Sequence, residues 1–219
     1  PRMSGQPTYV ELWVEKAALE GVLHPLARRR HVTLMVNRGY SSTSAMYEAA
    51  CRIDRACRAS DGVIVADAAV LYLGDLDPSG EDMVRDIGDR LTKFLDGTNE
   101  EDPEDRETPV GWLVRRYGTV ELEVEKLALT MDQVRLYNPP PNPAKRSDSR
   151  SDKFIAEFGS SSWEVDALPP NVLRQLIEDA LDERIDAELV DRIVQQEKQQ
   201  KRKLRGFMAG QGVEAEEEE

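Results

Sequence analysis

Four short apolar runs separated by helical patterns constrain this chain more than any other feature. "YVELWV" (9–14), "VTLMV" (32–36), "VIVADAAVLYLG" and "TVELEVEKLAL" (119–129) have strand length and are rich in β-branched, aromatic and aliphatic residues. The first reads as an almost wholly buried strand, the third places its strand at 69–74, and the fourth alternates polar with apolar. Between them stand three segments with helical spacing. "EKAALEGVLHPLARRR" is expected to be interrupted or to end near Pro25, and "TSAMYEAACRIDRACRA" follows the capping hydroxyls of "NRGYSS". "EDMVRDIGDRLTKFL" carries Met83, Ile87, Leu91 and Leu95 at near-helical intervals. Strands that alternate with helices pair in parallel, because each helix carries the chain back across a sheet face. The expected fold class is α/β: a mainly parallel sheet flanked by helices, with a long C-terminal helix.

Beyond the fourth strand, "TMDQVRLY" resembles a short helix. "NPPPNPAKRSDSRSD" is too proline-rich for regular structure, and "SSWEVDALPP" is a short strand or turn leading into a helix near Pro170. From there to about Arg205, Leu173, Leu176, Ile177, Leu181, Ile185, Leu189 and Ile193 form one stripe. The stripe fades after Val194, so the basic end is expected to project into solvent. The expected organisation is a domain over 1–168, with an acidic exposed loop at 96–109 and a Pro-rich loop at 138–152. A helical segment over 169–205 and a disordered acidic tail over 206–219 complete it.

Of the 219 residues 40% are hydrophobic, enough for a core. No apolar run approaches the roughly 20 residues of a membrane span, and the first residues lack signal-peptide order. The default compartment is therefore the cytoplasm, with no membrane partner. Cys51 and Cys57 lie six apart without nearby histidines and read as reduced, partly buried small residues. The net charge of −13 argues against nucleic acid as a partner. Much of the acid, however, is gathered in "DGTNEEDPEDRETP" and "VEAEEEE", while "ARRRHVTLMVNR", "AKRSDSRSDK" and "KQQKRKLR" are basic. The overall sign does not decide the partner.

The segment "VLYLGDLDPSGEDM" (70–83) carries the chemistry. Asp75 and Asp77 flank one leucine, and residues two apart in extended chain point the same way. Pro78 suits the first turn of a helix capped by Asp77 or Ser79. Glu15 stands at the end of the first strand, and in parallel sheets function collects beyond the carboxyl ends of the strands. Three acids converging there repel one another, and a divalent cation relieves the repulsion. Magnesium, a hard oxygen-seeking ion, fits best, with manganese as its substitute; without histidine in these motifs zinc does not. The plain alternative is a helix cap at Asp77 beside a solvated Asp75. Arg38 leaves the second strand on the same rim, where it is a candidate phosphate contact. Lys145, Arg146, Arg150 and Lys153 form a basic loop that reads equally as a DNA-backbone contact or a solvated loop. His24 and His31 lack the partners of a triad.

"WVEK" together with "LGDLDPSG" resembles the Toprim domain of topoisomerases, bacterial primases and OLD-family nucleases. The "DxDPxG" form is most similar to that of the DNA-cleaving chain of topoisomerase VI and the related meiotic double-strand-break protein. "VELWVEKAAL", "VNRGYSSTSAMYEAA", "LALTMDQVRLYNPPPNPAK" and "FGSSSWEVDALPP" resemble phage and actinobacterial proteins of that type, over roughly residues 9 to 182. The resemblance implies a Rossmann-like Toprim fold, Glu15 as metal ligand or general acid/base, and Asp75 and Asp77 as metal ligands. It adds Glu164 as a further metal-site glutamate. It also implies duplex DNA as substrate, a homodimer, a separate ATPase partner, and a place at the nucleoid of a bacterial or phage-infected cell. Topoisomerase VI-type cleavage uses a tyrosine on an upstream winged-helix domain. No "RxxYY"-like segment occurs here, so the tyrosine is expected from outside this chain. Two other readings stand beside this one: a metal-dependent nuclease in which water attacks, and a catalytically silent DNA-binding or assembly module that keeps the acids as a structural metal site.

Overall fold

The computed structural model describes residues 2–36, 41–97, 114, 116–144 and 148–210. One parallel sheet contains β1 (Thr8–Val14), β2 (Thr33–Val36), β3 (Asp67–Leu73) and β4 (Leu122–Ala128), in the order β2-β1-β3-β4. The chain leaves β1 for β2 on one side and then crosses to β3 on the other. The crevice between the carboxyl ends of β1 and β3 is therefore the topological switch point, where such sheets place their sites. Val14 is in register with both Val36 and Leu73, so these three strands end level.

Around the sheet stand α1 (Glu20–Arg30), α2 (Thr43–Cys57), α3 (Pro78–Leu95), α4 (Met131–Tyr137), α5 (Ser151–Phe158), α6 (Pro170–Asp182) and α7 (Ala187–Gly210). A two-stranded antiparallel pair, β5 (Asn142–Pro143) with β6 (Ser161–Ser162), joins α4 to α6. Side chains alternate across a strand, and this alternation splits the core in two. Val10, Leu12, Val14, Leu71 and Leu73 pack with Leu23 and Leu26 of α1 and Leu173 and Ile177 of α6. Trp13, Val70 and Tyr72 point the other way, onto Met46 and Ile53 of α2 and Met83, Ile87 and Leu91 of α3. The fold is α/β with a parallel sheet covered on both faces. No helix among the described residues is long and apolar enough to cross a membrane.

One charge sits inside this core. Glu11, in the middle of β1, is fully buried and accepts from Tyr9 Oη (2.8 Å), Trp13 Nε1 (2.8 Å), Arg52 Nε (2.7 Å) and Arg52 Nη2 (2.8 Å). Four donors, two of them from one guanidinium, satisfy the carboxylate that burial would otherwise penalise.

Several expectations are corrected by the structure. α1 runs through Pro25 without ending, because Pro25 and the Gly21 whose carbonyl it leaves without a helix partner both face solvent. The stripe from Leu173 to Ile193 belongs to two helices rather than one. Between them Gln6 donates to Asp186 O (2.9 Å) and accepts from Asp186 N (2.7 Å), and Asp186 Oδ1 caps α7 at Leu189 N (2.9 Å). The helix continues to Gly210, into the segment expected to be disordered. The Pro-rich stretch contains β5 and the start of α5, whose Phe154 is buried. Cys57 is fully buried and Cys51 partly so. Most of the acidic loop (98–109) and the tail from 211 onward lie outside the described residues.

Candidate functional site

The segments that follow β1 and β3 are joined at the switch point. Glu15 N donates to Leu73 O (3.0 Å), and Glu15 Oε2 accepts from Tyr72 Oη (3.2 Å) and Asp75 N (3.3 Å). The end of β1 is thus laced to the residues that follow β3. Gly74 is required here: a Cβ on it would lie 2.5 Å from Tyr72 Cε1, so only glycine lets the ring cross toward Glu15.

Asp77 caps α3, its Oδ1 accepting from Gly80 N at 2.6 Å, with Pro78 in the first turn. Gly80 packs so closely that an added Cβ would stand 2.1 Å from Asp75 O. That carbonyl also accepts from Lys126 Nζ (2.9 Å), which is paired in turn with Glu81. Lys126 comes from β4, where Leu122, Val124 and Lys126 share one side of the strand. Burial lowers its pKa, against the pull of the Glu81, Asp77 and Glu15 carboxylates.

Asp75 turns toward a different segment. Leu76 and Trp163 form an antiparallel bridge, Leu76 N to Trp163 O at 2.8 Å and Trp163 N to Leu76 O at 3.0 Å. The bridge carries residues 164–167 to the site, where Val165 N donates to Asp75 Oδ1 at 2.8 Å. Lys16 Nζ lies among Asp166 Oδ1 (2.7 Å), Glu164 Oε2 (2.8 Å) and Asp75 Oδ1 (3.4 Å). Burial acts to lower the Lys16 pKa, but its hydrogen bonds to Asp166 and Glu164 and the charge of Asp75 outweigh it, so the net shift is upward. Burial pushes Asp75 up to about 6; the Val165 N–H and Lys16 oppose this, and the Glu15 and Asp77 charges add to it. Tyr72 is raised by burial first and then by Glu15, Asp75 and Asp77. Glu15, Asp75 and Asp77 therefore share one electrostatic neighbourhood.

These residues provide the oxygen donors that magnesium takes. The described hydrogen bonds engage one oxygen of each acid: Glu15 Oε2, Asp75 Oδ1 and Asp77 Oδ1. Among the described residues, no three His, Cys, Asp or Glu side chains are already drawn together as a metal-binding group. The donor chemistry fits a hard cation, while the side chains stand apart with Lys16 as the cation beside Asp75.

Of the expected DNA contacts, Arg150 and Lys153 line a cavity of about 180 Å³ beside α3, together with Pro78, Glu81 and Phe154. Arg150 is tied to Asp148 (2.8 Å) and Asp82 (2.9 Å). Arg38, Lys145 and Arg146 lie outside the described residues. Sequence reasoning missed Lys16, Tyr72, Lys126 and Asp166. A charge at a position where β4 should be apolar is the signal that could have found Lys126. Asp166, more than 140 residues from Lys16, offered none. Comparison with protein-family models, curated proteins and solved structures gave no match.

Proposed function

We propose that this chain is a magnesium-dependent, Toprim-like domain that binds duplex DNA and supports strand cleavage of the topoisomerase VI type. The observation behind this reading is the placement of Glu15, Asp75 and Asp77 at the ends of β1 and β3, close enough that both other acids raise the Asp75 pKa. Glu15, Asp75 and Asp77 would hold the ion, with Glu164 at the edge. When bound, the ion supplies neutralisation of the phosphodiester and polarisation of its oxygens. The chain's own residues do the positioning. Tyr72 orients Glu15, Lys126 anchors the carbonyl of Asp75, and Lys16 restrains Asp75 from the opposite side. Arg150 and Lys153 flank α3 as phosphate contacts. The attacking tyrosine comes from outside this chain; its oxygen bonds to phosphorus as the bond to the leaving deoxyribose oxygen breaks. The same reading implies a homodimer that works at the nucleoid with a separate ATPase.

The Lys16 bridge favours a second reading, a silent DNA-binding or assembly module in which a lysine replaces the metal. Calorimetric titration of magnesium into the wild type and Asp75→Asn/Asp77→Asn, with and without a short duplex, separates them; asparagine keeps the helix cap. Saturable binding lost in the variant is expected. Absence of binding in both conditions would sink the metal mechanism and leave the silent module. Nicking of supercoiled plasmid by the chain alone would favour a water-using nuclease.

A further inference from the structure

The basic end of α7 lies far from the acids. Asp186, which caps α7, is held by Gln6, two residues before β1 begins. Further along, Glu197 pairs with Arg2 (2.7 Å), whose Nη1 lies 3.4 Å from Nε2 of His31, just before β2. Both contacts mark the amino-terminal end of the sheet. β1 has seven residues, roughly 23 Å at about 3.3 Å each, and separates them from the carboxyl-end crevice.

Past Glu197 every described residue of α7 is exposed, from Lys198 to Phe207. Lys198, Lys201, Arg202 and Arg205 stand at i, i+3, i+4 and i+7, so at about 100° per residue they share one face. No acid occurs between Lys198 and Gly210. Like charges at these spacings repel and weaken a helix. The helix dipole does not account for them either, because its effect is confined to the last turn, which holds no basic residue. Among the described residues the row has one ion pair, Lys201 with Glu197 at 2.7 Å, and that pair is exposed and exchangeable.

We infer that this row is a second nucleic-acid contact, an arm that binds the phosphate backbone of duplex DNA apart from the acidic crevice. Four cations over about 10 Å of helix match a linear polyanion whose phosphates advance about 3.4 Å per step along each strand. The occupant is favoured by this repeat of one sign. The protein's own surface mixes signs, with acids held beside cations at Arg30–Glu178, Arg85–Asp89 and Arg184–Glu125. The arm does not depend on the metal reading, since neither its residues nor its chemistry touch Glu15, Asp75 or Asp77.

The test is fluorescence anisotropy of a labelled duplex of about 20 base pairs with the full chain in EDTA, between about 50 and 200 mM salt. Lys198→Gln/Lys201→Gln/Arg202→Gln/Arg205→Gln is expected to weaken binding at least tenfold at the lower salt. It should also flatten the dependence of log K on log salt by roughly 0.9 for each phosphate no longer neutralised. Lys198→Arg/Lys201→Arg/Arg202→Lys/Arg205→Lys should keep both, and circular dichroism should show every variant folded. EDTA removes any metal contribution, so a failed metal site leaves this result intact. Unchanged affinity and slope in the glutamine variant would overturn the arm. So would a DNA-free dimer that this variant dissolves, or tighter binding to anionic phospholipid vesicles than to the duplex.

Discussion

Lys16 Nζ lies 2.8 Å from Glu164 Oε2 and ties the residue after the first strand's acid to a segment 148 positions later. The same ammonium reaches Asp166 and Asp75, so one side chain neutralises part of the acidic crevice. Lys16→Met leaves those carboxylates facing one another in a partly buried setting. It is expected to lower stability by about 2 kcal/mol, read by urea denaturation at neutral pH. An unchanged midpoint would show that the bridge carries no weight.

Asp75 gives the stability a pH dependence of definite sign. Folded Asp75 keeps its proton up to about pH 6, while an unfolded aspartate releases it near pH 4. Between these values the folded chain holds the extra proton, so this residue's contribution falls as pH rises through the window. The upper size is about 3 kcal/mol. Asp75→Asn removes the group, and in EDTA the wild type should lose stability relative to the variant between pH 4 and pH 6. Parallel curves would contradict the shift.

Two glycines of α3 should respond oppositely to alanine. At Gly80 the new methyl would meet the Asp75 carbonyl at 2.1 Å, and a backbone atom cannot step aside. Gly80→Ala is expected to cost about 3 kcal/mol and to displace the Asp75–Asp77 loop. At Gly88 the nearest atom is Val124 Cγ2 at 3.9 Å, an ordinary contact, so Gly88→Ala should stabilise by about 0.5–1 kcal/mol. Thermal melts of the two variants provide the check, and equal shifts would refute the packing at Gly80.

The buried Glu11 depends on Arg52 more than on its ring partners. Arg52→Met removes two of its four donors and strands a carboxylate inside the sheet, at an expected cost of about 3–5 kcal/mol. Glu11→Gln/Arg52→Met should cost less than the two single changes added together. Additive losses in a double-mutant cycle would show that the pair is not coupled.

Much of the arrangement was legible beforehand because it rests on local rules. Met83, Ile87, Leu91 and Leu95 face the sheet from α3 as their spacing requires, and the capping box of Thr130 and Gln133 starts α4 where "TMDQ" suggests. Alternation along "YVELWV" sent Val10, Leu12 and Val14 to one face and Trp13 to the other. The nearness of Glu15 to Asp75 followed once a parallel sheet was assumed, since both end strands on the same edge. The course of the terminal helices was less legible: the apolar stripe is continuous through Ile185, and the turn after it is held by Gln6, a residue 180 positions away.

The strands, the helices and their order are written into the chain itself, because hydrophobic period and caps act within a few residues. Tertiary packing alone sets β3 beside β1, pairs Trp163 with Leu76, and brings Lys126 and Lys16 into the acidic crevice from different sides. Those contacts join segments between 45 and 150 residues apart. No local pattern encodes such pairs. They form because a folded chain must satisfy each buried carbonyl and charge with whatever donor the packing brings within reach.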